Sequence, residues 1–286
     1  MSLVIDKLLE RKMLECLEED LGWGDITTNA LIPEETIAEA RIISKRDGII
    51  AGVEEAGIIY KLLNVDFKPL VKDGEKVTKG QTVAELTGPA RSILLGERTA
   101  LNIMMRMSGI ATETSKIVNL AKKINPKLRI ACTRKTTPGF RYFEKKAVAL
   151  GGGDTHRFRL DDMVLIKDNH LSIIGDVRRA VSQARLRSSF TKKIEVEVVD
   201  ADQAFEAADA GADIIMFDNM SPEEAKKALE ILEKRGLREK VLIELSGGIT
   251  PENVEKYMAL DVDIISMGYI IHSIRALDLS LDLIKH

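Results

Sequence analysis

Four short apolar stretches decide the fold: IEVEVV (Ile194–Val199), IIMFDN (Ile214–Asn219), VLIELSGGI (Val241–Ile249) and IISMG (Ile264–Gly268). Several are almost wholly apolar, the pattern of parallel strands covered on both faces. Three run directly into Asp-Asn, Ser-Gly-Gly or Gly, and the first carries Glu197 within it. Upstream, Arg129–Cys132 and Met163–Lys167 read as two more strands. Amphipathic helices fill the gaps. Ser221-Pro222-Glu223-Glu224 combines a capping serine, a proline at the first helical position and a glutamate three residues after the cap. Thr250-Pro251 repeats the start signal. Alternating strands and helices require right-handed crossovers and a parallel sheet. Six such units predict an incomplete TIM-like α/β barrel, with a doubly wound sheet as the alternative that periodicity leaves open.

The chain changes character near Ile124–Leu128. Before it, helix and strand patterns mix. Ile5 to Glu19 places Ile5, Leu8, Leu9, Met13 and Leu17 at helical spacing. Ala38–Ser44 and Gly48–Ala51 read as extended, and Glu54–Leu63 as helical. Val71–Leu86 alternates around two turn signals, Asp73-Gly74 and Lys79-Gly80. It resembles a biotinyl or lipoyl carrier hairpin but lacks a tip with a modifiable lysine. Two helices are expected next, Ser92–Met107 and Thr112–Ile124, separated by Ser108-Gly109.

Composition narrows the class. The 286 residues are 45 % apolar and 30 % charged, enough for a large core. The net charge of −3 argues against a nucleic-acid binder. No apolar run approaches the ~18 residues that cross a bilayer, and the first residues lack a secretory pattern. With two cysteines, Cys16 and Cys132, the chain is no disulfide scaffold. It reads as a cytoplasmic protein.

The charges are not spread evenly. Between Arg129 and Leu171, nine Lys/Arg face five acids, a local charge of +4 in an acidic chain. Cys132 leads into Thr133-Arg134-Lys135, and Ile166 into Lys167-Asp168-Asn169-His170. His156 and Arg157 lie between them. In a parallel barrel these strand ends share one mouth, where active sites lie. A cationic mouth suits a small polyanion, because guanidinium forks match carboxylate and phosphate. Ser246-Gly247-Gly248 before a helix start offers free amides to phosphate. Glu197 and Asp218 could hold a divalent cation or bind sugar hydroxyls. Each feature also has a plainer reading. The glycines could be only a tight turn, Glu197 a structural ion pair, and Arg98 a solvated helical arginine. His156 could be structural, and Cys132 a small buried hydrophobe. No His/Cys spacing suggests zinc.

Taken together, the residues resemble the quinolinate phosphoribosyltransferase family, the type II phosphoribosyltransferases. The resemblance rests on EDLGWGDITT (Glu19–Thr28), GERTALNIMMRMSGIAT (Gly96–Thr112), TRKTTPGFRYFEKKAVALGGGDTHRFRLDDMVLIKDNH (Thr133–His170), EVEV (Glu195–Val198), FDN (Phe217–Asn219), ELSGGI (Glu244–Ile249) and MGYIIHS (Met267–Ser273). One departure is Thr155, where members often carry Asn. The resemblance implies a mixed α/β N-terminal sandwich domain over 1–111 and an incomplete α/β barrel over 112–271. A C-terminal helix at about 272–286 is expected to pack on the first domain.

The resemblance also implies an activity: phosphoribosyl transfer from phosphoribosyl pyrophosphate to quinolinate with decarboxylation, giving nicotinate mononucleotide, pyrophosphate and CO2 for NAD synthesis. The implied quinolinate cradle is Arg134, Lys135, His156, Arg157 and Lys167, with Lys135 or Lys167 as candidates to protonate the carbanion. Glu197 and Asp218 would attend the ribose and Mg²⁺. Ser246, Gly247, Gly248 and Gly268 would bind the 5′-phosphate, with His272 nearby, and Thr133, Met267 and Tyr269 are further implied substrate-binding residues. The implied assembly is a homodimer, or a hexamer as a trimer of dimers, with Arg98 reaching into the partner's site. Competing readings are another phosphosugar barrel enzyme, a paralogue tied to molybdenum transport, a nicotinate-specific transferase, and a non-catalytic anion-binding or carrier module.

Overall fold

A computed structural model describes Leu3–Ile284, with side chains from Asp6 onward. The chain divides into two compact units, Met1–Glu113 with Ile274–His286, and Thr114–Ser273.

The second unit is built on a six-stranded parallel sheet. Its strands are β6 (Arg129–Cys132), β7 (Val164–Ile166), β8 (Ile194–Val198), β9 (Ile214–Asp218), β10 (Leu242–Ser246) and β11 (Ile264–Met267), in the order β6-β11-β10-β9-β8-β7. All pairings are parallel. The order is that of a barrel in which the last strand returns to the first. Asp154 extends the sheet beyond β6 through a bridge to Ala131. No pairing joins β7 to that edge among the described residues, so the barrel is incomplete. Ile194, Val196, Ile215, Phe217, Ile243 and Ile265 are fully buried, as strands covered on both faces require. The helix Pro222–Lys234 starts at the expected capping box, with Ser221 and Glu224 bonding reciprocally. The Thr250-Pro251 signal does not open a helix. Asn253 turns the chain there, its side chain accepting from Thr250 N and donating to Gly248 O, and only Val254–Met258 is helical.

The N-terminal ends of these strands are laced by aspartates. Asp213 accepts from Ile194 N at 2.8 Å and pairs with Arg185 at 2.7 Å. Asp263 accepts from Ile243 N at 2.7 Å and pairs with Arg238 at 3.1 Å. This end holds the strands in place and leaves the opposite end for chemistry.

The first unit carries an antiparallel sheet of β1 (Ile37–Ser44), β3 (Asp66–Pro69), β5 (Thr82–Pro89) and β12 (Leu279–Leu283), in the order β12-β1-β5-β3. A two-stranded pair joins β2 (Gly48–Ile49) to β4 (Lys76–Val77). Val71–Leu86 is therefore not a self-paired hairpin, because β4 and β5 pair with different partners. The helix Leu3–Leu21 buries Leu9, Met13 and Leu17 but exposes Leu8; the Ile5 side chain lies outside the described residues.

Two expectations are corrected. The pair of helices around Ser108-Gly109 is one helix, Ala90–Ile124. Ser108 Oγ accepts from Ala51 N and donates to Ala51 O, so its hydroxyl is used without breaking the helix. Gly109 serves close approach, since a Cβ there would lie 2.5 Å from the Arg275 carbonyl. The expected C-terminal helix is instead β12, antiparallel to β1 with Ala40 opposite Leu283. The alternation Leu277, Leu279, Leu281, Leu283 suits a strand. Lys285 and His286 lie outside the described residues. No helix of the described residues is long and apolar enough to cross a membrane.

Candidate active site

The C-terminal ends of the parallel strands open into one cavity of about 490 Å³, lined entirely by residues of the second unit. Thr133, Arg134 and Lys135 enter from the end of β6, and Lys167 from β7. Glu197 and Asp218 come from β8 and β9, and Ser246, Gly247 and Gly248 from β10. His156 and Arg157 enter from the loop after Asp154. The convergence follows from topology, because parallel strands present all their C-terminal ends to one mouth.

The cations are held rather than loose. The Arg157 side chain is nearly buried, and its Nη1 donates to Met163 O at 3.4 Å. Burial, helped by the nearby Arg134 charge, pulls its pKa below the ordinary arginine value. Arg134 Nε is buried with no hydrogen-bond partner among the described residues. Burying such a donor without an acceptor is costly. The Lys167 ammonium pairs with the Glu197 carboxylate, and the Lys135 backbone N–H donates to Thr133 Oγ1 at 3.2 Å. An anion stabilises the nearly buried Arg157 and the half-buried Arg134, whose charges repel one another, which is the chemistry this mouth offers.

The acids fall into two groups. Glu197 and Asp218 sit near the opening, and Asn219 Nδ2 donates to Asp218 Oδ2 at 2.9 Å. Asn219 has a left-handed backbone (φ 54°), and its N–H donates to Ser246 O at 2.9 Å, tying β9 to β10. Gly247 must be glycine: its φ is +95°, and a Cβ there would stand 2.3 Å from Asn219 Oδ1. Deeper in, Glu195 and Glu244 are fully buried, at 3.3 and 3.2 Å from His156 Nε2. Burial works against charge on the imidazole, but the two carboxylates outweigh it and raise its pKa. The Arg157 N–H, 2.7 Å from Nδ1, opposes a second ring proton there. Nε2 carries a proton directed at the acids, so His156 turns toward them instead of offering that donor to the mouth.

Other sequence candidates lie elsewhere. Arg98 belongs to the first unit, on the helix Ala90–Ile124, with 60 % of its side chain exposed and Glu97 at 3.9 Å. Met267 is buried in β11 and does not line the cavity. Gly268, Tyr269 and His272 also fall outside the lining. Gly268 nevertheless packs closely, since a Cβ there would meet His272 Nε2 at 2.8 Å and Lys135 Cδ at 3.2 Å. Cys132 is buried, its Sγ donates to Thr155 O at 3.3 Å, and burial pushes its thiol pKa up.

Against this geometry stand the known relatives. The C-terminal domain model of quinolinate phosphoribosyl transferase matches residues 110–282, and the N-terminal domain model matches 25–108. The chain belongs to the quinolinate phosphoribosyltransferase family. It is 50 % identical to a probable nicotinate-nucleotide pyrophosphorylase (carboxylating) of Methanothermobacter thermautotrophicus, covering 94 % of this chain and 96 % of that protein. It is 39 % identical to the human nicotinate-nucleotide pyrophosphorylase (carboxylating), covering 89 % and 85 %. The solved nicotinate-nucleotide pyrophosphorylase of Francisella tularensis superposes with a TM-score of 0.89 at 38 % identity, covering 98 % and 97 %.

Within this family frame, three polar residues had escaped the sequence reading: Glu195, Glu244 and Ser266. Ser266 lines the cavity, with a buried hydroxyl lacking a hydrogen-bond partner among the described residues. Their signal was period two: with Glu197 facing the barrel interior, Glu195 on the same strand faces it too.

Proposed function

We propose that this chain transfers the phosphoribosyl group of phosphoribosyl pyrophosphate to quinolinate and decarboxylates the adduct, producing nicotinate mononucleotide, pyrophosphate and CO2 for NAD synthesis. The observation that carries the reading is the gathering of Arg134, Lys135, Arg157 and Lys167 around one cavity at the strand ends. A pyridine with two carboxylates needs such a set, whereas nicotinate, with one, needs fewer cations.

The chemistry follows from the residues. Guanidiniums hold the carboxylates and aim the ring nitrogen at the anomeric carbon, which replaces a chance encounter with a fixed one. The nitrogen forms the new bond as the carbon–oxygen bond to pyrophosphate breaks. That carbon becomes cation-like, and Glu197 and Asp218 are the carboxylates disposed to stabilise it. The open amides around Gly247 and Gly248 suit the 5′-phosphate. Once alkylated, the ring nitrogen is cationic and stabilises the electron pair left on the adjacent carbon as its carboxylate departs as CO2. A proton then replaces it, with Lys135 or Lys167 as the nearest ammonium donors in this reading.

Two carboxylates are too few for a complete metal cage but fit Mg²⁺, which is bound through one or two carboxylates together with substrate phosphates. Glu197 and Asp218 would help to hold it, directly or through ribose hydroxyls, and the ion would offset charge on the departing pyrophosphate. The same reading pairs two copies of the chain, with Arg98 of one serving the site of the other, in the cytoplasm.

The test incubates the protein with phosphoribosyl pyrophosphate and Mg²⁺, plus quinolinate or nicotinate, and follows CO2 and mononucleotide. Stoichiometric CO2 and mononucleotide from quinolinate alone are expected. Turnover of nicotinate instead, or of neither, overturns the reading.

A further inference from the structure

Glu195 and Glu244 are absent from the chemistry so far, yet they are the least expected residues in the barrel. Both are fully buried, and neither carboxylate makes a well-formed hydrogen bond within the described residues. Their nearest charged neighbour is the same atom, Nε2 of His156. Burying two carboxylates against one imidazole is a poor route to stability, since an apolar pair of similar size would do as well.

What they hold is a strained loop. His156 has a left-handed backbone at φ 50°. Its N–H donates to Asp154 Oδ1 at 2.8 Å, and the preceding carbonyl, Thr155 O, accepts from the buried ammonium of Lys145. His156 Nδ1 faces the Arg157 amide at 2.7 Å. The loop is thus fixed from three sides, and the next side chain is the nearly buried Arg157 guanidinium that lines the cavity. Nonglycine residues keep such backbone conformations only where their surroundings impose them, and these cluster at functional sites.

We propose that Glu195 and Glu244 are positioning residues: acting through His156, they set the loop that presents Arg157 to the dianionic substrate. This rests on the functional reading above. Negative charge on Glu195 also favours the charged form of Arg157. The cluster His156, Glu195, Glu244 has the donor types of a metal site. The Arg157 N–H directed at Nδ1 places the ring proton on Nε2, where a metal would need a lone pair, so the contact is a proton-mediated brace.

Glu195→Gln and Glu244→Gln keep shape and remove charge. Each is expected to raise the quinolinate KM about tenfold, leaving the phosphoribosyl pyrophosphate KM within twofold. In a His156→Ala background the same substitutions should change the quinolinate KM by less than twofold, because the brace is already gone. Histidine-selective ¹⁵N NMR on the wild-type protein reads the contact without any substitution and is expected to show a slowly exchanging Nε2 proton on His156. Unaltered Gln variants, effects that add fully in the His156→Ala background, a parallel rise in both KM values, an Nε2 without a proton, or a stoichiometric metal ion lost from the Gln variants each overturn the proposal. Wild-type turnover with unaltered variants overturns the positioning role alone. Absent wild-type turnover overturns the functional reading and this role together.

Discussion

Arg134 and Arg157 are worth more than their formal charges, because each is partly removed from water and each lies in the other's field. A guanidinium in that position gains from an anion what a solvated one does not. Replacing Arg157 or Arg134 with Ala should weaken quinolinate binding by about 1.5–3 kcal/mol, or roughly 10- to 100-fold in KM. Steady-state kinetics with each substrate varied in turn is the check, and unchanged quinolinate KM values in both variants would remove the cradle. At this scale the sequence was most readable for residues whose type and place coincide. Lys167 and Asp218 follow apolar runs directly and Arg134 follows one residue later, so the strand end and the charge are seen together. Glu195 and Glu244 were hidden because their place depends on burial against His156, a contact far away in the chain. His156 was legible as a member of the site but not in its role. Which way an imidazole turns depends on partners 39 and 88 positions away, Glu195 and Glu244, and no local pattern encodes that.

Among the elements, the turn after β10 shows how a loop is bound to its neighbour. Gly247 and Gly248 both have left-handed backbones, but their surroundings differ. At Gly247 a Cβ would collide with Asn219, whose amide supports Asp218; at Gly248 it would meet nothing within 4 Å. Gly248→Ala should therefore cost only the backbone strain, about 1–2 kcal/mol. Gly247→Ala should add displacement of Asn219 and raise the phosphoribosyl pyrophosphate KM well beyond the Gly248→Ala value, with a smaller effect on quinolinate. Equal effects in the two kinetic series would mean that Asn219 does not couple this turn to Asp218. The same scale explains where sequence reading failed. All six parallel strands were placed within a residue or two, because burial on both faces leaves continuous apolar runs. The Thr250-Pro251 start was misplaced because Asn253 offers the chain a competing turn. Ser108-Gly109 resembled a break, but its two residues serve a hydroxyl bridge and a close contact, both long-range. The final strand was legible in its own alternation of leucines, and the family resemblance drew attention away from it.

The second unit as a whole separates stability from chemistry along the strand axis: aspartate–arginine lacing at the N-terminal ends, cations and open amides at the other. Every residue lining the cavity comes from that unit, whereas Arg98 belongs to the first. If a second copy supplies Arg98, an Arg98→Ala chain retains a sound cavity but fails to complete its partner's. A Lys167→Ala chain loses its own cavity but still donates Arg98. Either variant alone is then inactive, while a mixed dimer contains one complete site, made from the intact cavity of the first chain and the arginine of the second. Equal co-expression yields half mixed dimers, each with one working site of two, so about a quarter of wild-type activity should return. A site built within one chain gives no such recovery, since neither variant then holds both residues. Specific activity of affinity-purified hybrids carrying two different tags distinguishes the arrangements, and hybrids as inactive as their parents would assign Arg98 a role within its own unit.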